Sequence, residues 1–115
     1  MQMKKTGQLE KINLLELTRG LSEYKNWMVS EVNDHALRIA VMNGPFHWHK
    51  HDEGDELFLV LEGELYIDLE GETVCLKPGE MFTVPQGVMH RTWSKERTVN
   101  LCVEKTATVT SGSDT

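Results

Sequence analysis

Residues 44–63 read GPFHWHKHDEGDELFLVLEG, and this stretch decides the fold. Three histidines, His47, His49 and His51, fall at alternate positions. Side chains of an extended chain alternate faces, so the three can share one face while Trp48 and Lys50 point the other way. The polar turn Asp52-Glu53-Gly54-Asp55 follows, and then an apolar run that opens with Glu56. A strand returning antiparallel from that turn would set Glu56 across from His49 and His51. Imidazole suits Fe, Mn, Ni, Cu and Zn, and a carboxylate adds a hard anionic oxygen. The spacing alone fits a solvated, His-rich strand end beside an acidic turn nearly as well.

The chain on either side reads as short strands broken by Gly, Pro and Asn-Asp pairs. Strands are predicted over residues 27–32, 36–42, 46–51, 56–61, 64–69, 72–77, 81–84, 90–93 and 98–104. No strand–helix alternation runs through them, so an antiparallel sandwich or closed barrel is expected. Upstream, Asn13 followed by Glu16 resembles a capping box. Leu14, Leu17 and Leu21 recur near helical spacing, and Arg19-Gly20 ends the run. One short helix is predicted there.

A second segment, residues 79–90, reads GEMFTVPQGVMH. Together the two segments resemble the paired motifs of the cupin superfamily. The first motif is His-x-His, three or four residues, Glu, six residues and Gly, matched by His49, His51, Glu56 and Gly63. The second is matched by Gly79, Pro85, Gly87 and His90. Two departures stand out: Gly44 precedes His49 by four residues where the family usually has five, and Ser94 stands where Asn often closes the second motif. Neither position is a ligand in the family. The chain is similar to small single-domain bacterial cupins, often loosely labelled mannose-6-phosphate isomerase-like.

The resemblance implies an all-β cupin barrel, a double-stranded β-helix or jelly roll, with one short N-terminal helix. Residues 1–32 would form an N-terminal segment packing on the barrel, 33–105 the barrel itself, and 106–115 a flexible tail rich in Thr, Ser and Gly. It implies that His49, His51, Glu56 and His90 hold one divalent transition metal ion (Fe, Mn, Zn, Ni or Cu). His47 has the parity of the ligand face; lining the substrate pocket is the favoured role and direct ligation the lesser. Phe58 and Val60 share parity with Glu56 and would form an apolar wall beside the metal, or plain barrel core. Gly63 and Gly87 are expected in turn conformations that a side chain would penalise. Arg38 either meets an anionic substrate or, the favoured reading, forms a rim or interface salt bridge.

Within the family such sites serve dioxygenases, decarboxylases and sugar-phosphate isomerases. A metal-dependent enzyme acting on a small molecule is expected, with dioxygenase-type chemistry favoured. A non-catalytic binding or sensing module comes second, and a sugar-phosphate isomerase third, since no Lys/Arg set for a phosphate stands out.

Composition agrees with one globular domain. The chain has 115 residues, 39% hydrophobic and 26% charged, with a formal net charge of −6. That acidic balance without a basic cluster argues against nucleic-acid binding. No apolar run is long enough for a membrane span, and no signal-peptide core follows Lys4 and Lys5, so a cytoplasmic location is expected. Cys75 and Cys102 form no CxxC, and both are expected as buried small hydrophobes. A homodimer is expected, because a small barrel gains from burial against a partner. Trp48 and Trp27 have parities that turn them away from the ligand face.

Overall fold

The computed structural model describes residues 4–108 and Gly112. One helix, α1 (Leu14–Thr18), precedes seven strands: β1 (Lys25–Val32), β2 (His35–Pro45), β3 (Glu56–Glu62), β4 (Leu65–Leu69), β5 (Glu72–Leu76), β6 (Met81–Val84) and β7 (Arg91–Lys105). The strands pair antiparallel in the order β1-β2-β7-β3-β6, and β4 bridges β5 and β7. Among the described residues no helix is long and apolar enough to cross a membrane.

The main departure from the sequence reading lies in β7. Two strands are expected there, over 90–93 and 98–104, but residues 91–105 form one continuous strand. The polar run Ser94-Lys95-Glu96-Arg97 holds no Gly or Pro, and it marks a bulge rather than a reversal. Met42 pairs with Thr98 and Gly44 with Ser94, so residues 95–97 stand against Asn43 alone. The extra residues bend the strand without ending it. Its far half then lies between β2 and β3, and its near half joins β4.

Alternation along β2 builds two apolar layers. Ile39 and Val41 face outward and are fully buried with Val99 beneath Leu14, Leu21 and Trp27. Ala40 and Met42 face inward, into the core of Val60, Leu65 and Ile67. Trp27 thus packs away from the ligand face, whereas Trp48 is 39% exposed. Cys102 is buried as expected, but Cys75 is exposed. On β5 it is Val74 and Leu76 that pack inward, which leaves Cys75, of opposite parity, on the outer face of a strand that pairs only with β4 among the described residues.

Helix α1 is capped as read: the Asn13 side chain accepts from the Glu16 backbone N–H at 3.0 Å. Glu16 does not reach back to complete the box; its carboxylate pairs with Arg19. At the other end Arg97, rising from the β7 bulge, donates to the carbonyls of Thr18 and Leu21 and pairs with Glu62 at 2.8 Å. These carbonyls have no helical partner, so a guanidinium satisfies them and complements the helix dipole. Arg97→Ala is expected to lower stability by about 2 kcal/mol, the range for charge-assisted hydrogen bonds. A urea titration measures it; an unchanged midpoint would mean that the N-terminal segment is held by its leucines alone.

Candidate metal centre

The two motif segments meet backbone to backbone. His49 and His90 exchange paired hydrogen bonds, N to O at 2.9 and 2.8 Å, and Gly87 N donates to His51 O at 2.9 Å. Gln86 seals the turn from the other side, its N–H on Asp55 Oδ1 and its amide on Asp52 O. Gly87 holds φ +78°, and Gly63 holds φ +77° where a β-carbon would fall 2.6 Å from Thr98 Oγ1. Both glycines therefore meet the conformational demand read from the sequence.

This pairing replaces the hairpin expected between residues 46–51 and 56–61. Residues 46–48 lie outside any strand, and β3 pairs with β6 and β7 instead. The acidic turn carries the chain from the His49–His90 bridge over to β3 rather than folding it back on itself. Glu56 still reaches the histidines, because it is the first residue of β3 and sits at the barrel mouth.

His49, His51, Glu56 and His90 are all buried, and their ligand atoms lie within 4.8 Å of one another. Each ring is set for a task. His49 Nδ1 faces the His47 carbonyl at 2.8 Å, and His90 Nδ1 faces the Val88 carbonyl at 2.9 Å. A carbonyl only accepts, so both Nδ1 atoms carry the proton and both Nε2 atoms offer a lone pair. Such backbone contacts orient metal-ligating histidines. His51 Nε2 stands 3.0 Å from Glu56 Oε1, and His90 Nε2 3.4 Å from the same oxygen. Neither approach has hydrogen-bond alignment, so His51 Nε2, His90 Nε2 and Glu56 Oε1 are left buried without a hydrogen bond. Converging, buried, unsatisfied donor atoms of this kind are what a cation completes.

Proton affinities follow from the same packing. Burial holds His49 down to about 4, and the rings of His90 and His51 add to it. Burial also works against the His51 cation, but the Glu56 carboxylate outweighs it and lifts His51 above its ordinary value. For Glu56 burial works upward, and contacts with His51 and His90 prevail to bring it to about 2. Burial, then the negative Glu56, lifts Glu104 to about 8.

Glu104 is a residue the sequence reading missed. It is 3% exposed at the end of β7, in line with Thr98, Asn100 and Cys102. The alternation Thr-Val-Asn-Leu-Cys-Val-Glu over residues 98–104 is visible in the sequence. It suggests a strand with its polar face in water, but both faces are covered here. Asn100 and Cys102 of that row help to wall a cavity beside the ligands, lined among others by Tyr24, Phe46, His49, Glu56 and Phe58.

The remaining expected site residues separate. Phe58 lines the cavity. Val60, one alternation further along β3, is fully buried in the core and does not line it. His47 is exposed, its ring 4.2 Å from Phe46 and 5.2 Å from His49, outside the ligand group and the cavity wall. Arg38 donates from Nε to Asn26 Oδ1 at 2.7 Å and stands 3.9 Å from Glu104, with no place in the cavity wall. Of the C-terminal stretch, Thr106 N donates to Asp34 O, and Gly112 lies against His49, where a β-carbon would come within 2.5 Å of the ring. Residues 109–111 and 113–115 lie outside the described residues.

An antiparallel barrel with three histidines and a glutamate grouped at its mouth, able to hold a metal ion, defines the class of β-barrel protein. The cupin domain family model matches residues 39–103, and the chain belongs to that family. It is 51% identical over 94 residues to Uncharacterized protein YdbB of Bacillus subtilis (strain 168), covering 80% of this chain and 83% of that one. Among solved structures it is similar to a cupin-2 domain containing protein from Shewanella frigidimarina, with TM-score 0.77, 30% identity and coverage of 82% and 93%. Protein NMB1881 from Neisseria meningitidis matches with TM-score 0.75, 25% identity and coverage of 84% and 100%.

Proposed function

We propose that the protein is a metal-dependent enzyme acting on a small molecule, with dioxygenase-type chemistry favoured. One observation carries the reading: His49 and Glu56 belong both to the ligand group and to the wall of the cavity. An ion held there faces the space a substrate would enter. Four protein ligands on an ion that takes five or six leave positions for substrate, as catalytic sites do. A bound Fe, Mn, Ni, Cu or Zn ion would supply Lewis acidity, and a redox-active one a site for dioxygen.

The chain's own residues do the rest. His49 and His90 present fixed Nε2 lone pairs, and Glu56 contributes the negative charge. Phe58, Met42 and Phe46 keep water from the reacting side. No Lys or Arg lines the cavity among the described residues, which counts against a sugar-phosphate isomerase. Metal analysis of the purified protein, then oxygen uptake with iron or manganese restored and small organic acids supplied, tests the proposal. Ligand-dependent stabilisation without turnover for any metal would favour a binding module instead.

We further propose a homodimer, supported by the exposed apolar side chains of Leu15, Leu17 and Trp48. Light scattering at micromolar concentration is expected to give twice the 13.1 kDa of one chain. A mass of a single chain would leave those side chains as ordinary surface.

A further inference from the structure

The geometry points to Asn100 as the residue that orients the substrate, and to a slender substrate with a metal-binding head at one end and a neutral hydroxyl or N–H donor at the other. This rests on the metal-dependent reading of the site.

Asn100 is 1% exposed, yet its Oδ1 has no hydrogen-bond partner among the described residues. Its Nδ2 is engaged, donating to Cys102 Sγ at 3.1 Å. The residue lines the same cavity as His49 and Glu56. It stands opposite Val60 on β3, two inward positions beyond Glu104, and so lies deeper in the barrel than the ligands. A buried amide oxygen beside a cavity demands a donor. Asn26, on the same wall, is already committed to Arg38. Ala40, Met42 and Phe58 make the lining apolar nearby, and Tyr24 and Thr92 bring hydroxyls to it, but neither supplies Asn100 Oδ1 with a hydrogen bond.

Shape narrows the class. The cavity is narrow, with ≈ 30 Å³ open to the centre of a water-sized molecule. A slender chain suits such a space better than a bulky one. A substrate hydroxyl that reaches Asn100 Oδ1 supplies the missing hydrogen bond, whereas a methyl group of equal size leaves the oxygen orphaned.

The test uses the full chain loaded with cobalt(II), whose visible spectrum reports on its ligands. Two isosteric pairs are titrated: 3-hydroxypropanoate against butanoate, and 4-hydroxybutanoate against pentanoate. In each pair the carboxylate head is the same and only the terminal group differs. At least one hydroxy acid is expected to bind about tenfold more tightly than its partner. Asn100→Leu should abolish that preference while cobalt affinity, measured by competition with a chelator, stays within about twofold. Asn100→Asp, which keeps an acceptor, should retain it. Equal affinity within both pairs, or a preference that survives Asn100→Leu, overturns the inference. A protein that fails to bind cobalt at all overturns the metal-dependent reading, and this inference with it. Selectivity missing from a protein that does bind cobalt overturns this inference alone.

Discussion

Glu56→Gln should lose at least a hundredfold in metal affinity while leaving the barrel folded. Four-ligand sites of this kind bind with apparent free energies of about 10–16 kcal/mol, so one ligand accounts for roughly 3 kcal/mol. The amide keeps the size and shape of the carboxylate but not its charge, so the packing around Phe58 and Cys102 is preserved. The loss should exceed that from a neutral ligand, because Glu56 is the one residue of the four that brings a negative charge, held ionised at about 2. Chelator competition gives the affinity, and circular dichroism checks the fold. Metal affinity within a few-fold of the parent would mean that Glu56 is a neighbour of the ion and not a ligand.

Metal-loaded protein should gain in stability relative to metal-free protein as pH rises from about 6.5 to 8. In the metal-free protein His51 is lifted above its ordinary 6.5, and Glu104 from 4.5 to about 8. Both hold their protons more tightly folded than unfolded. Their contribution is fully present below the unfolded values and is lost as pH rises through the folded ones. His49 and Glu56 act in the reverse sense. Held down at about 4 and about 2, they contribute above 6.5 and 4.5, and that contribution disappears as pH falls. For His49 this amounts to at most about 3 kcal/mol between pH 6.5 and 4. Stability of the metal-free protein should therefore peak in mildly acid solution and decline toward pH 8. Metal binding displaces protons from the same site, so affinity rises over that interval. The gap in melting temperature between the two forms should widen by several degrees from pH 6 to 8, measured by calorimetry. Parallel curves would show that the ion does not compete with protons at these residues.

Much of the site was legible because its residues are bound to a rigid local grammar. His49, His51 and Glu56 lie within eight residues of one another, and His90 closes a Gly-Pro-Gly pattern whose turns only certain residues can make. The helix cap and the turn at Asn33-Asp34 were legible for the same reason, since both are local. The partner of each strand was not. Sequence spacing favours the nearest return, and it set Glu56 against His49 in a hairpin; in the barrel His49 pairs with His90 across 41 positions. Alternation along residues 98–104 was readable as a strand but not as a site. Polarity distinguishes two faces and cannot say that the polar one faces a closed interior. Asn100 and Glu104 escaped notice for that reason, and Cys75 was misplaced by its mirror image.

The position of β7 has a consequence for how the chain comes to be folded. It lies between β2 and β3 and also carries β4, yet it is the last of the seven strands in chain order. Before it emerges, the described pairings open to the nascent chain are the hairpins β1–β2 and β4–β5 and the β3–β6 pair. Hairpins of two strands are marginal in water. Closing β2 onto β7 joins His35 to Lys105, a separation of most of the chain, and its entropy must be spent before the inner core offers any return. Folding should thus be slow, and barrel closure must wait until β7 has been made. The four clustered residues come together in the same late event, since His90 stands at the threshold of β7, so a metal ion would meet a complete site only once the barrel is closed.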